Sequence, residues 1–389
     1  MRFTVLLRAR RSCRARAPLG HHLHQRVGAA FLACAATALV LGVAMAGSAA
    51  AATGIPSSGM PVLSSNFGAG GAPVSMQSAA GQDLFVHDPA MAKEGNTYYV
   101  FSTGDPAGVV GNGNIQIRSS TNLRKWKFDG TVFANKPSWI ADIEGNIPNL
   151  WAPDISFFDG EWHLYYAASS FGSNNSLLAL ATTPTLNPRS PDYRWTDDGL
   201  VFRSTSADNF NAIDPSLVTA QGGSRYLVFG SFFAGIEMLP LDSATGKPPV
   251  GATPQLIAAK PFPDPEEGAS ITFHDGFYYL FVSVDTCCAG ISSTYHVQVG
   301  RSTSVTGPYV DAAGVPMTSG GGMEVQGTDA GMIGPGGESA FTTSSGEDWL
   351  VYHYYDAYAN GDAWLQIRPL SWVTGWPVTG QPMVPIPGE

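Results

Sequence analysis

A hairpin-like segment recurs five times along this chain, and each copy opens with a carboxylate. In the clearest copy, Asp154 leads a short apolar run, the turn Asp159-Gly160 and a second run that ends at Ser169. Two apolar runs on either side of Asp-Gly are typical of a β-hairpin. The five leading acids are Asp88, Asp154, Asp214, Glu267 and Glu338. A unit that returns at similar but unequal intervals indicates a repeat architecture with insertions.

The repeat predicts the fold class. Each unit is longer than one hairpin requires and suits a propeller blade of about four strands. No Pro/Gly/Ser-rich linker separates the units, so the sequence predicts one all-β domain, a five-bladed β-propeller. The innermost strands of a propeller start at one end of its central channel, and we therefore expect the five acids to converge there. A single acid before a strand is also a common turn residue. Residues 136–148 are predicted to be a loop.

The N-terminal region is typical of an export leader. Arginines precede an apolar run at residues 27–43, and small residues suitable for cleavage follow it. We therefore divide the chain into a secretion signal (1–52), a flexible N-terminal tail (53–81) and the propeller catalytic domain (82–389). This organisation predicts a secreted, extracellular protein. The alternative is that the apolar run remains as a membrane anchor.

Charge and cysteine content restrict the partners. The formal net charge is −10, and the leader is basic, so the rest of the chain is more acidic still. A neutral polymer is then a better partner than nucleic acid. We expect a monomer that binds no nucleic acid and, once the leader is removed, no membrane. Outside the leader only the adjacent Cys287 and Cys288 remain. They form either a strained vicinal disulfide or two thiols.

Several acids at one channel mouth favour cation binding or acid/base catalysis. Glycoside hydrolysis needs one protonated carboxyl and one ionised carboxylate, and crowding of like charges separates their pKa values. Inversion requires carboxyl groups about 6.5–9.5 Å apart, whereas direct attack requires about 5–5.5 Å. Acids on different blades suit the wider spacing. Aromatic residues near the acids that suit sugar stacking are Trp139, Trp151, Phe171, Phe232 and Phe233.

A family resemblance rests on a series of short motifs. They are His87-Asp88-Pro89, Trp151-Ala-Pro-Asp154, Ser170-Phe-Gly172-Ser, Asn211-Ala-Ile-Asp214-Pro, Ser231-Phe-Phe233, Glu267-Gly-Ala-Ser270, and Cys287-Cys288 followed by Ser293-Thr-Tyr295 and Val299-Gly-Arg301-Ser. Together they extend from about residue 82 to residue 376. In these residues the chain resembles the five-bladed propeller arabinanases of glycoside hydrolase family 43.

The resemblance implies an enzyme that cuts internal α-1,5-L-arabinofuranosidic bonds of plant cell-wall arabinan with inversion. It implies that Asp88 is the general base, that Glu267 is the general acid, and that Asp214 tunes and orients the acid. It further implies that the sugar subsites are lined by Asp88, Trp151, Asp154, Gly172, Asn211, Ala212, Ile213, Asp214, Ser231, Phe232 and Phe233. His353 matches a family histidine associated with a calcium ion in the channel. Imidazole is an unusual calcium ligand, so water would complete the shell.

The chain departs from the family pattern at two places. Phe233 stands where the family often has tryptophan, and Gly337-Glu338 stand where some members have histidine. Glu266 is also a rival for the role of acid, although alternation along a strand would direct it away from Glu267.

Other functions remain open from the sequence. One is an exo-acting α-L-arabinofuranosidase or β-xylosidase of the same family. A second is a propeller that binds carbohydrate without cutting it, although such a module would not need acids at 88, 214 and 267 together. A third is a propeller in which calcium is purely structural.

Overall fold

The computed structural model describes residues 85–108 and 110–386, and the predicted leader and tail lie outside these described residues. Within them, twenty strands form five four-stranded antiparallel sheets in simple up-and-down order. The five sheets are the blades of a five-bladed β-propeller, as the sequence predicts. No helix in the described ranges is both long enough and apolar enough to cross a membrane.

Each blade takes four consecutive strands from the chain. Blade 1 contains β1 (Ala90–Glu94), β2 (Thr97–Ser102), β3 (Gln116–Ser120) and β4 (Lys127–Thr131). Blade 2 contains β5 (Trp151–Phe158), β6 (Glu161–Ser169), β7 (Ser176–Thr183) and β8 (Thr196–Ser204). Blade 3 contains β9 (Ser216–Thr219), β10 (Arg225–Phe229), β11 (Ile236–Leu241) and β12 (Gln255–Ala258). Blade 4 contains β13 (Glu266–His274), β14 (Phe277–Val284), β15 (His296–Ser302) and β16 (Met323–Gln326). Blade 5 contains β17 (Met332–Thr342), β18 (Asp348–Asp356), β19 (Ala363–Val373) and β20 (Trp376–Thr379).

The predicted hairpin turns join the first two strands of their blades. Asp159 and Gly160 have φ values of 50° and 92°, and Asp275 and Gly276 have 47° and 86°. Positive φ at both central residues matches the twist of antiparallel strands and explains the choice of Asp-Gly. These turns place the start of every innermost strand at one end of the channel, here called the channel mouth.

The core lies between neighbouring blades. Strands β6 and β7 are almost wholly buried because both of their faces pack against another blade. One apolar cluster joins blades 1 and 2, another joins blades 2 and 3, a third joins blades 3 and 4, and the largest joins blade 5 to blades 4 and 1. Every blade therefore depends on its neighbours for burial, which makes the ring one cooperative body.

The segment predicted as a loop contains a short helix, α1 (Ser138–Glu144). Ile140 is buried, and Trp139 packs beside it on the cluster between blades 1 and 2. Two turns of helix are too short to give a clear 3.6-residue pattern, which explains why the prediction missed it. Two 3₁₀ turns lie at Gly290–Ser292 and Met317–Ser319.

Both ends of the described chain are tied to blade 5. The N–H of Val86 donates to the carbonyl of Ala363 at 3.1 Å, just before blade 1 begins. Near the other end, Val384 and the Gln366 side chain exchange two hydrogen bonds of 3.0 Å. These contacts close the ring between its first and last blades, and they hold the segment that carries His87 and Asp88 in place.

Candidate active site

One residue with left-handed backbone recurs at the channel mouth in every blade. The five residues, with their φ values, are Asp88 (49°), Ala152 (45°), Asp214 (55°), Gly268 (61°) and Gly337 (56°). A non-glycine residue in this region costs energy and is often found at functional sites. The recurring feature of the blades is therefore this turn.

The structure corrects the alignment of the repeats on their acids. Asp88 and Asp214 occupy the turn position itself, whereas Asp154 lies two residues after it, Glu267 one before it and Glu338 one after it. The backbone turn is the conserved geometry of the repeat, and the acids occupy different sites around it. Each carboxyl consequently enters the channel from a different direction.

All five leading acids nevertheless meet at the channel mouth, as expected. Asp88, Asp154, Asp214 and Glu338 line the channel together with the backbone of Gly268. Glu267 adjoins them, because the N–H of the next residue, Gly268, donates to Asp214 Oδ2 at 3.1 Å. The charge of Glu267 consequently affects the pKa values of Asp214 and Glu338. No lysine or arginine is among the described residues that line the channel. The site is thus a concentration of carboxyl groups without a lysine or arginine in its described wall.

Asp88 is held in its ionised form. Burial by itself would raise the pKa of Asp88, but His87, His353 and a hydrogen bond from Thr103 outweigh burial and lower the pKa to about 2. His87 Nδ1 lies 2.8 Å from Asp88 Oδ2, and Thr103 Oγ1 donates to the same oxygen at 2.7 Å. An ionised carboxylate of this kind can accept a proton from water.

Glu267 has the opposite tendency. Burial raises its pKa and the charge of Asp88 adds to this effect, while hydrogen bonds from Ser231 and Tyr295 partly offset it. Ser231 Oγ donates to Oε2 at 2.7 Å, and Tyr295 Oη donates to Oε1 at 2.8 Å. Glu267 is therefore fixed at both oxygens and biased toward the protonated state that a general acid requires.

Asp214 interacts electrostatically with both Asp88 and Glu267. Burial raises the pKa of Asp214 strongly, and the charges of Glu267 and Asp88 raise it further. Its Oδ2 accepts the Gly268 N–H at 3.1 Å, which links it to the residue that follows Glu267. Because the carboxyls interact, Asp214 and Glu267 titrate as a pair that resists losing both protons.

Glu266 does not belong to this channel. Its side chain is completely buried on the other face of β13, where the charges of Asp264 and Lys260 act on it. Burial raises its pKa to about 8. The alternation expected along the strand is thus confirmed, since Glu267 faces the other channel acids and Glu266 faces the interior between blades 3 and 4.

The channel also offers oxygen donors for a hard cation. Burial raises the pKa of Glu338 to about 8 and that of Asp154 to about 7. Glu338 accepts a hydrogen bond from Ser283, and its Oε1 is buried without a hydrogen-bond partner in the described chain. Carboxylate oxygens are the ligands that calcium prefers. Asp154 and Glu338 therefore supply, in the channel lining, the type of oxygen that calcium prefers.

His353, the expected metal ligand, is fully buried beside the channel. Its Nδ1 accepts the Asp88 N–H at 3.2 Å, and its Nε2 lies 3.3 Å from Tyr355 Oη. Both ring nitrogens are engaged in hydrogen bonds, so His353 presents no free lone pair to an ion in this arrangement. Gly337 is required beside it, because a Cβ there would lie 2.8 Å from His353 Nδ1 and 2.5 Å from Asp88 Oδ1.

The expected sugar-binding residues fall into two groups. Phe171, Gly172 and Phe233 are exposed on the loops after β6 and β10, and Phe232 is partly exposed. Trp151 is partly buried and donates its indole N–H to Asn149 Oδ1 at 3.0 Å. The exposed phenylalanines are suitable stacking surfaces for sugar rings.

The second group does not present its side chains to the channel. Asn211, Ala212 and Ile213 are buried, and Asn211 Oδ1 accepts a hydrogen bond from Ser176 at 2.7 Å. Ala212 and Ile213 pack in the apolar cluster between blades 2 and 3. The buried side chains of these residues hold the backbone that leads into Asp214, and the assignment of the segment to the sugar subsites stays a prediction. Ser231 is likewise buried and contacts Glu267.

Sequence analysis did not identify four groups that support the site. Thr103 holds Asp88, Tyr295 holds Glu267, and Tyr355 and the Cys287–Cys288 disulfide contact His87. Tyr295 and the cysteines lie within the recognised motifs, which was a usable signal. Thr103 and Tyr355 follow or end strands with no distinguishing pattern, and only the closed ring brings them to the acids.

Comparison with known proteins gives consistent matches. Residues 82–377 match the family model described as Glycosyl hydrolases family 43. The chain is 39% identical over 293 residues to "Extracellular endo-alpha-(1->5)-L-arabinanase 1" of Bacillus subtilis (strain 168), covering 75% of this chain and 87% of the relative. It is 38% identical over 308 residues to "Extracellular exo-alpha-(1->5)-L-arabinofuranosidase ArbA" of Cellvibrio japonicus (strain Ueda107), covering 75% and 85%.

A solved structure agrees with these relatives. The GH43 endo-arabinanase from Bacillus licheniformis superposes with a TM-score of 0.70 at 43% sequence identity, covering 76% of this chain and 98% of that one. The family-model match at residues 82–377 includes all five channel acids.

Proposed function

This chain belongs to glycosyl hydrolases family 43, and from that premise we propose that it cuts internal α-1,5-L-arabinofuranosidic bonds of arabinan. The observation that carries the proposal is the pair of opposed acids in one channel. Hydrogen bonds and the charge of His87 outweigh burial and lower the pKa of Asp88, whereas burial raises that of Glu267. Two carboxyls with separated pKa values are the requirement for glycoside hydrolysis.

In the proposed reaction Glu267 donates its proton to the glycosidic oxygen of the leaving sugar. Asp88 removes a proton from the water that attacks the anomeric carbon. Asp214 shares the channel with Glu267, so its carboxyl disfavours early loss of the acid's proton. Ser231 and Tyr295 hold Glu267 in a fixed orientation during proton transfer.

We propose that the reaction inverts the anomeric centre. Asp88 precedes blade 1 and Glu267 belongs to blade 4, so the two carboxyls enter the channel from non-adjacent blades. This arrangement favours the wider spacing that leaves room for water between a base and the sugar. Proton NMR of the first product formed from an arabinan oligomer tests this proposal, since a product of unchanged anomeric configuration would contradict it.

The substrate is proposed from the relatives together with the surface of the mouth. Both relatives and the solved structure carry names that refer to arabinan-type activities. Exposed aromatic rings lie on two sides of the mouth, with Phe171 and Phe233 on blades 2 and 3 and Tyr358 on blade 5. Surfaces on both sides favour a polymer that continues past the cleavage point, and therefore endo action.

Product sizing distinguishes the candidates. The full-length protein is incubated with linear arabinan, debranched arabinan and xylan, and the products are separated by size. A ladder of oligomers from linear arabinan supports internal cutting. Arabinose alone supports the second candidate, an exo-acting arabinofuranosidase, which the Cellvibrio japonicus relative favours. Release of xylose alone would contradict both.

We propose that the protein is secreted and acts as a monomer on plant cell-wall arabinan. Both sequence relatives are named as extracellular proteins. All three acids of the proposed mechanism come from one chain, so no second copy is needed to complete the site. Cell fractionation and analytical ultracentrifugation test these two points separately.

We also propose that the channel binds calcium through the carboxylates of Asp154 and Glu338, with water completing the shell. A cation would supply the positive charge that the channel wall lacks and would offset the burial of these acids. The test is isothermal titration of chelator-treated protein with calcium, with thermal stability as a second readout. Saturable binding that Glu338→Gln weakens supports the proposal, and absence of binding contradicts it.

A further inference from the structure

A disulfide between adjacent residues lies directly behind the imidazole of His87. The sequence left open whether Cys287 and Cys288 are bonded, and in the structure they form a disulfide. Each Sγ lies 3.8 Å from His87 Nε2. The cysteines belong to the loop between β14 and β15 of blade 4, whereas His87 precedes blade 1. The contact therefore crosses from one part of the channel wall to another.

Tyr355 connects the disulfide loop to both histidines. The Cys288 N–H donates to Tyr355 Oη at 2.7 Å, and Cys287 Sγ lies 3.4 Å from the same oxygen. Tyr355 Oη lies 3.1 Å from His87 Nε2 and 3.3 Å from His353 Nε2. Burial raises the pKa of Tyr355, so the phenol keeps its hydrogen and can donate it.

When His87 is neutral, one assignment of hydrogens satisfies all of these contacts. The Asp88 N–H donates to His353 Nδ1, which places the His353 hydrogen on Nε2, facing Tyr355 Oη. Tyr355 Oη then accepts from His353 and from the Cys288 N–H, and it donates its own hydrogen to His87 Nε2. His87 consequently carries its hydrogen on Nδ1 and donates it to Asp88 Oδ2 at 2.8 Å.

The result is a continuous chain of contacts from the disulfide to the proposed base. Tyr355 Oη donates to the outer nitrogen of His87, the two sulfur atoms contact that nitrogen, and the inner nitrogen donates to Asp88. The rings of His87 and His353 stack with centroids 3.7 Å apart, which fixes the plane in which His87 donates. Misplacement of a reacting group by about 1 Å can cost about 100-fold in rate.

We propose that the Cys287–Cys288 disulfide and Tyr355 are positioning residues for Asp88, so that the rate of hydrolysis depends on the redox state of this cysteine pair. The proposal rests on the assignment of Asp88 as the base under the proposed function. A dithiol reduces the bond by supplying two electrons and two protons. The S–S bond breaks, each Sγ gains a hydrogen, and the dithiol closes into its own disulfide. The loop can then move, so that the Cys288 N–H leaves Tyr355 Oη and both sulfur atoms leave His87 Nε2.

The experiment uses the full chain with Cys13→Ser and Cys34→Ser, so that only Cys287 and Cys288 can change redox state. Turnover of linear arabinan is measured for the oxidised protein, after treatment with dithiothreitol, and after re-oxidation. We expect reduction to lower kcat by about 10- to 100-fold with KM changed less than about twofold. Re-oxidation should restore kcat.

Two variants separate positioning from other effects of the reductant. Cys287→Ser with Cys288→Ser should show the low kcat of the reduced protein and should not respond to dithiothreitol. Tyr355→Phe keeps the disulfide but loses the O–H that holds His87 Nε2, and it should also lower kcat while KM stays within about twofold. Circular dichroism shows whether each form keeps the propeller.

Each remaining outcome contradicts one specific statement. Equal kcat for the oxidised and reduced forms overturns the positioning role, while arabinan hydrolysis by the oxidised form leaves the proposed function intact. A rise in KM at constant kcat would show that the disulfide contacts sugar instead. If reduction unfolds the chain, an unchanged kcat in Tyr355→Phe overturns the proposal. Absence of hydrolysis by the oxidised protein contradicts the proposed function itself.

Discussion

Both ends of the propeller carry acidic residues. Those at the channel mouth are buried without a lysine or arginine partner among the described residues, whereas an acid at the opposite end is paired with an arginine. At the channel mouth, burial raises the pKa values of Asp154 and Glu338, and the described wall contains no lysine or arginine. At the opposite end, Asp159 in the first turn of blade 2 is paired with Arg225, Nη1 to Oδ2, at 2.9 Å. Nearby, Lys247 Nζ donates to the Asp198 carbonyl at 2.6 Å.

This difference indicates that burial of acids at the channel mouth lowers the stability of the fold, and that the mouth is the functional end of the propeller. A buried carboxyl without a cationic partner is expensive, and such groups are concentrated at active sites. The Asp159–Arg225 pair is partly exposed, since the side chain of Asp159 is 56% exposed and that of Arg225 13%, and a pair with a solvent-exposed partner contributes little net energy. The channel mouth should therefore be sensitive to changes that the opposite end tolerates, and each of the following predictions tests that contrast.

The largest expected effect is on the two acids with opposed pKa values. Glu267→Gln and Asp88→Asn keep the shape of the side chain but remove proton donation and proton acceptance, respectively. We expect each to lower kcat on linear arabinan by about 10²–10⁴-fold, which is the usual contribution of a general acid or base. A propeller that only binds carbohydrate would instead keep all its measurable properties in Glu267→Gln.

The matched control is Asp159→Asn at the opposite end, where kcat and KM should stay within about twofold of the parent. Binding of arabinan oligomers to Glu267→Gln should remain measurable by calorimetry. An unchanged kcat in Glu267→Gln, or an equal loss in Asp159→Asn, would remove the functional distinction between the two ends.

A smaller effect is expected from the exposed aromatic rings. Phe233 at the mouth is 44% exposed, and Phe157 at the opposite end is 55% exposed. If Phe233 stacks on sugar, Phe233→Ala should raise KM about 10-fold, equivalent to about 1.4 kcal/mol, because a buried aromatic contact contributes energy of this order. Phe157→Ala should leave KM unchanged. Equal KM values for the two variants would exclude Phe233 as a subsite.

The fold could be predicted from the sequence because its signals are local. The turn Asp159-Gly160 and the runs beside it define a hairpin over about fifteen residues, and repetition of that hairpin defines the propeller. The choice of Glu267 over Glu266 was also predictable, because alternation along one strand decides it.

The support around the acids could not be predicted, because it depends on contacts between distant blades. Thr103 reaches Asp88 only when strand β2 ends beside it, and Tyr295 reaches Glu267 across the sheet of blade 4. The alignment on acids was wrong by one or two residues in three blades, because the recurring element is a left-handed turn that Asp, Ala and Gly all occupy. A backbone conformation shared by such different residues leaves little trace in sequence.

The hydrogen bond from Tyr295 to Glu267 should affect how kcat/KM depends on pH. Tyr295 donates to Glu267 and thereby lowers the pKa that burial raises. Tyr295→Phe removes that bond, so the pKa of Glu267 should rise and the acid should stay protonated to higher pH. A hydrogen bond to a charged group contributes about 1.5–3 kcal/mol, and 1.36 kcal/mol is one pKa unit. The alkaline limb of kcat/KM should therefore move upward by about one pH unit.

Tyr278→Phe is the control for this measurement. Tyr278 Oη accepts the Gln221 N–H at 2.9 Å in the turns away from the mouth. Loss of the Tyr278 hydroxyl should leave the alkaline limb of kcat/KM at the same pH as in the parent protein. A downward shift of the alkaline limb in Tyr295→Phe would show that Glu267 is not the acid that limits the profile.

The smallest expected effect concerns the ion pair at the opposite end. Asn is as suitable as Asp in the turn where Asp159 has φ of 50°, so Asp159→Asn isolates the charge from the backbone. We expect the free energy of unfolding to fall by about 0–1 kcal/mol in urea denaturation, and the difference to disappear near 1 M salt. Asp275→Asn is the matched control, because Asp275 occupies the equivalent turn of blade 4 without an ion pair among the described residues. A loss above about 2 kcal/mol that persists in salt would mean that this end, too, depends on a specific charge, and the contrast with the channel mouth would not hold.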